Sequence, residues 1–360
     1  MPRMAVNTAS YGYLNHWSSD KNPMVAAKGG QLFPQTLVCS ASLAMRTINL
    51  FKSLLGFLAF GQCRATVSWT TIGCDNVNVN GASIDAIWDS AVAMASNAQS
   101  TIDTLVNAKA IMPKSTTSRV ADNAKYMWGL KFGFSKVSGL DSASKDRLSQ
   151  VSMVCAGVYA QAEGLMRKNS GFLICSGESL TWGVTDDFMT GVWHAKIPGT
   201  DDSLVLLFSA GHPQGAASRP CTDGETMGRT FRGQYVSNGK TEEVVGILFC
   251  TNQFSNDWKG ALNLGYSPGG SDPNPNDYKS AAGTALHEMI HAVDMNKYLD
   301  QTSPHFGEGK VAYGFNRCYY LAMTEPKIAL MNPDNYRVFA EMCMSPATRW
   351  VAPKVIDKGT

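Results

Sequence analysis

Charge is scarce in this chain, and so is histidine. Only 17% of its 360 residues are charged, the net charge is +2, and there are six histidines. No run of five or more basic residues occurs, so the charge pattern gives no footing for a nucleic-acid partner. The nine cysteines include no C-x-x-C pair, which excludes a zinc ribbon and a thioredoxin-like redox motif. Glycine is common, at 33 residues, but follows no period, which excludes collagen and repeat arrays. The Gly-rich stretch 265–283 is not followed by G-K-[ST], so it is no phosphate loop.

What is there fits a globular protein. Apolar residues make up 44% of the chain, and its length supports a sizeable core. From Met45 the sequence reads MRTINLFKSLLGFLAFGQCRA. Arg46, an apolar run at 54–60 and small residues ending at Ala65 have the pattern of a secretory signal, too short for a stable membrane anchor. Residues 1–44 are polar and aperiodic, and are expected to be a disordered extension upstream of a start at Met45. The chain from residue 66 to 360 is then one enlarged domain, secreted, with no membrane attachment after signal removal. Seven cysteines lie beyond residue 66. In a secreted chain they are expected to form disulfides, with one left over.

Residues 84–109 carry Ile84, Trp88, Ala91, Ala95, Ala98, Ile102 and Leu105 at helical steps, and 142–166 repeats the pattern. The aromatic stretch between them reads as a connection. Apolar runs at 171–175, 202–210 and 243–250 read as strands separated by long polar loops. Two of these, 202–210 and 243–250, are expected to offer an edge to an extended peptide. Stretch 265–283 forbids regular structure, and Asp277 or Ser280 is placed to cap the helix that follows. Further helices are expected around 315–330 and 335–344. Helices, then strands, then helices make the fold class α+β.

The chemistry concentrates at His287-Glu288-Met289-Ile290-His291. At i and i+4 on a helix two imidazoles face one ion, and Glu288 stands beside its open position. Bound zinc acidifies its water, and such a glutamate takes the proton as general base. His194 and His212 lie in glycine- and proline-containing stretches and read as loop-bracing residues. A third ligand is required, and the residues leave Asp300, Glu308 and His305 open, with Asp294 placed for a supporting role.

HEMIHAVD followed by VAYGFNRCYYLAMTEPKIALMNPDNYRVFAE, at 311–341, resembles the deuterolysin-like aspzincins, secreted zinc endopeptidases with lysine-specific members. The likeness is strongest over 284–341 and looser back to residue 70. It implies a zincin-like domain with long helices, a small mixed sheet and an active-site helix. By that resemblance His287 and His291 ligate one zinc ion, Glu288 is the general base and Tyr313 steadies the oxyanion. The family's usual ligand aspartate falls at Lys310, which cannot ligate when charged. Asp300, at the family's spacing from the second histidine, ranks ahead of Glu308 and His305. Asp334 matches one acid of the lysine-binding pair, but its companion position holds Arg337, which repels a lysine and can pair with Asp334 instead. The expectation is a secreted, monomeric zinc endopeptidase acting on peptide or protein substrates. The rival is a non-catalytic metal-binding or effector protein on the same scaffold.

Overall fold

The computed structural model describes residues 69–107, 114–131, 140–162, 171–185, 188–208, 219–268, 273–307 and 309–353. The signal-like segment, the extension before it, His212 and Glu308 lie outside the described residues.

Strands β1 (Thr70–Ile72), β2 (Asn78–Val79) and β3 (Ala82–Ser83) lead into helices α1 (Ile84–Asn107), α2 (Lys114–Trp128) and α3 (Ser142–Ala162). Then come β4 (Phe172–Ile174), β5 (Thr181–Thr185), β6 (Phe188–Lys196), β7 (Ser203–Leu207), β8 (Gly228–Ser237) and β9 (Lys240–Phe249). Helices α4 (Ala281–Val293), α5 (Gly314–Thr324), α6 (Pro326–Ala329) and α7 (Pro333–Cys343) follow. The α+β class expected from the sequence is observed, although three short strands, one of them part of the main sheet, precede the first helix.

Short polar side chains start the helices by accepting from backbone N–H groups that lack an intrahelical partner. Ser83 accepts from Ala86 at 3.2 Å, Asp141 from Ser144 at 2.7 Å, and Ser280 from Gly283 at 2.8 Å. Ser280, not Asp277, therefore caps α4. The aromatic stretch is no mere connection, because Tyr126, Met127 and Trp128 close helix α2.

Seven strands form one mixed sheet in the order β1-β4-β9-β8-β7-β6-β5. Its β1–β4 and β4–β9 pairs are parallel and the rest antiparallel. It is larger than the small sheet expected, because β5, β6 and most of β8 fall in segments that read as loops. Central β9 is buried on both faces: Val245, Ile247 and Phe249 join the helices, whereas Val244 and Leu248 pack with Phe231, Leu204 and Trp193. This is the period-two alternation of a strand. Asn238 and Gly239, both at positive φ, make the two-residue turn between β8 and β9.

The expected peptide edges are not edges. β7 lies between β6 and β8, and β9 between β4 and β8. The β7–β8 ladder stops at Leu207 opposite Arg232, while β8 pairs with β9 back to Gly228. Among the described residues no strand extends that ladder along 228–231.

Two disulfides form, Cys74–Cys175 and Cys221–Cys250. Cys155, Cys318 and Cys343 remain free and buried, so three thiols are unpaired rather than one. Among the described residues no helix is long and apolar enough to cross a membrane. Helix α4 packs on α1, α3, α7, β8 and β9, and nearly all of it is buried.

Candidate metal centre

Helix α4 places His287 and His291 one turn apart, with ring centroids 4.8 Å from each other. Beyond its end the chain turns at Asp294, whose Oδ1 accepts from the Asn296 N–H at 3.0 Å. Buried Tyr298 follows, and Asp300 then comes back to the histidines. The two Nε2 atoms are 3.1 Å apart, and Asp300 Oδ1 lies 3.2 Å from that of His287 and 3.4 Å from that of His291. Four-coordinate zinc with bonds of about 2.0–2.1 Å has donor–donor edges of about 3.3–3.4 Å. The triangle therefore fits a small cation. Among the described residues these three form the one such donor group.

Partners on the far side of each ring aim the lone pairs inward. The His291 Nδ1–H donates to the Tyr298 carbonyl at 2.6 Å, and His287 Nδ1 lies 3.3 Å from Asp334 Oδ1. Burial disfavours a charged His287, yet hydrogen bonds to Asp300 and Asp334 outweigh it and hold its pKa at about 10. Burial also opposes charge on Asp300, but His287 and His291 pull its carboxyl far below the usual range. A positive centre is what this pocket stabilises.

Glu288 is 5% exposed, and its Oε2 accepts from the Thr230 hydroxyl at 2.8 Å, which ties it to β8. A Cβ at Gly228 would stand 2.8 Å from Glu288 Cγ, so the strand can approach the helix this closely only with glycine there. Tyr313 donates to Asp300 Oδ2 at 2.6 Å, and its ring meets His287 edge-on at 5.7 Å. Burial and the Asp300 carboxylate push the phenol's pKa well up, so it remains a donor.

Asp334 does not project as an acidic substrate pocket. It is 4% exposed; Arg337 donates to it at 2.5 and 3.0 Å, and the Gly314 N–H at 2.6 Å. Arg337 also donates to Glu341 at 2.7 Å, and Glu341 accepts from Ser280 at 2.9 Å. Ser280 and His287 are seven residues apart on α4, as Asp334 and Glu341 are on α7, about two turns in each. Helix α7 thus grips α4 at its cap and at its first histidine. A Cβ at Gly283 would meet Glu341 Oε1 at 2.2 Å, so that grip also needs a glycine.

Among the other sequence candidates, His305 is exposed and packs against Tyr320 at 5.2 Å, outside the triangle. Lys310 is exposed. Thr230, Gly228 and Glu341 escaped the sequence reading. Only Glu341 carried a signal, its i, i+4 spacing from Arg337 on the same helix. A cleft of about 1180 Å³ opens over the triangle, lined by β8 on one side and by Tyr313, Gly314, Asn316 and Arg317 at the α5 start on the other. No protein-family model, curated protein or solved structure matches this chain.

Proposed function

We propose that this protein is a zinc-dependent endopeptidase with a zincin-like domain, of the kind found in the deuterolysin-like aspzincins. One observation carries the proposal: the His287–His291–Asp300 triangle faces a cleft with a carboxylate, Glu288, beside it. Two imidazoles and one carboxylate suit zinc, which would supply Lewis acidity and water of near-neutral pKa. Glu288, held by Thr230, takes a proton from the attacking water and passes it to the leaving amine. Tyr313 is a donor at the rim, placed to steady a developing oxyanion once it leaves Asp300. Segment 228–231 of β8 has no ladder partner on its β7 side among the described residues, which supports an extended peptide lying there. Lys310 takes no part in the triangle and Arg337 is neutralised behind it, so neither departure from the family pattern removes a donor. Two disulfides suit an oxidising, extracellular compartment.

The test compares zinc content and casein cleavage in wild type and Glu288→Gln. Both proteins should hold one zinc per chain, with cleavage falling by about 10²-fold or more in the variant. Stoichiometric zinc without Glu288-dependent cleavage would sink the peptidase reading and leave a metal-binding module.

A further inference from the structure

The cleft holds an imbalance of charge that the reaction does not use. Its lining includes Arg229, Arg232, Lys279, Arg317 and Arg337, against Glu225, Glu288, Asp300 and Asp334. Three of those four carboxylates are occupied: Asp334 by Arg337, Asp300 by the histidines and Tyr313, and Glu288 by Thr230. Only Glu225, exposed at the rim, is unengaged by the site. Of the five cations, Arg337 alone has an ion-pair partner among the described residues.

The other four rest on neutral groups. Arg229 lies 5.5 Å above the Phe208 ring and Lys279 5.5 Å above that of Trp258. Arg232 donates to Asn296 at 2.5 Å, and Arg317 to the Val311 carbonyl at 3.0 Å. Glu288 and Asp223 are near enough for Arg229 to feel their charge, but Glu288 accepts from Thr230 and Asp223 from Glu225 and Thr226. Arg229 is half-buried, so it has lost part of its hydration, and the carboxylates whose charge it feels make their hydrogen bonds elsewhere. The cations stand on both walls: Arg229 and Arg232 on β8, Arg317 on α5, and Lys279 just before α4.

We infer that the cleft selects acidic polypeptides, placing Asp or Glu side chains of the substrate against β8 and against the α5 wall. This rests on the peptidase reading for its turnover, not for its binding. Carboxylates brought to half-desolvated guanidinium groups form charge-assisted hydrogen bonds that water had not supplied. A peptide fits better than a nucleic acid. Phe208 and Trp258 each carry a cation over the ring, where a base would have to stack.

The experiment uses zinc-loaded Glu288→Gln protein and a fluorescent Glu/Ala peptide, with Lys/Ala and Ser/Ala peptides of the same length. The acidic peptide should bind tightest, with affinity falling as salt is raised. Arg229→Glu should weaken it about tenfold or more, and Arg229→Gln less. Lys279→Glu, at an exposed position just before α4, should weaken it as well. Equal binding of the three peptides, or a basic preference, overturns the inference, and casein cleavage by wild type would then leave the peptidase reading standing. Acidic binding without casein cleavage does the reverse. An oligothymidylate that displaces the acidic peptide at lower concentration than unlabelled acidic peptide also overturns it.

Discussion

Two aspartates reach the same imidazole from opposite sides, in two quite different regions. Asp300, in the loop after α4, lies 3.2 Å from His287 Nε2 with a side chain 33% exposed and, among the described residues, no ion pair with a guanidinium. Asp334, on α7, lies 3.3 Å from Nδ1, with a side chain 5% exposed and doubly bonded to Arg337. The chemical group is the same, and its neighbours decide its role. With its countercharge already in place, Asp334 can only orient the ring. Asp300 has only the imidazoles and the Tyr313 hydroxyl beside it, and a metal cation between the rings would serve as its countercharge instead.

The sharpest way to break this contrast is to remove the countercharge. Arg337→Met leaves Asp334 and Glu341 buried without a cation, and unfolding in urea should reveal a loss of roughly 3–5 kcal/mol. The same protein should lose zinc, because His287 is no longer held. Swapping the aspartates comes next. Asp334→Asn should weaken zinc binding by about 10–100-fold, the usual cost of losing a ligand's hydrogen-bond partner. Asp300→Asn should weaken it more, and should also cost the metal-free fold some stability at neutral pH, because the imidazoles hold that carboxyl below its usual range. Equal zinc affinities for the two variants would erase the distinction.

The smallest effect is a pH slope. Burial pushes Glu341 up to about 7 from an ordinary 4.5, outweighing Arg337 and Ser280, which act to lower it. Its folded-state pKa is raised, so the native state holds this proton more tightly than the unfolded chain. The stability it contributes is complete below about 4.5 and is lost as pH rises through about 7. Melting temperatures of Glu341→Gln measured across that window should lack this decline.

Much of the site was legible because its logic is local. The i, i+4 histidines, the glutamate between them and the Ser280 cap all lie on one short helix. Asp300 needed the family spacing, since nothing in a loop's own sequence says where it returns. The Asp334–Arg337 pair followed from one turn of helix and the signs of the charges. Helix α2 was hidden because it opens on the polar run Lys114–Ser118 and its aromatics come only at its end. Strand β8 was hidden by its polar and glycine residues, although Asn238-Gly239 is a strong hairpin signal that marks its end. Thr230 and Gly228 gave no local sign, because their importance lies in what crosses from another element. The cysteines fixed no pairing, and three buried thiols stay free where the odd count pointed to one.

The matched spacing on α4 and α7 constrains length more tightly than composition. One residue inserted between Asp334 and Glu341 would turn one carboxylate about 100° around the helix relative to the other and shift it about 1.5 Å. The cap and the ligand could then no longer be gripped together. Both helices are almost wholly buried, so packing limits their composition, but the grip adds a stricter demand: the stretches 280–287 and 334–341 must keep their residue count.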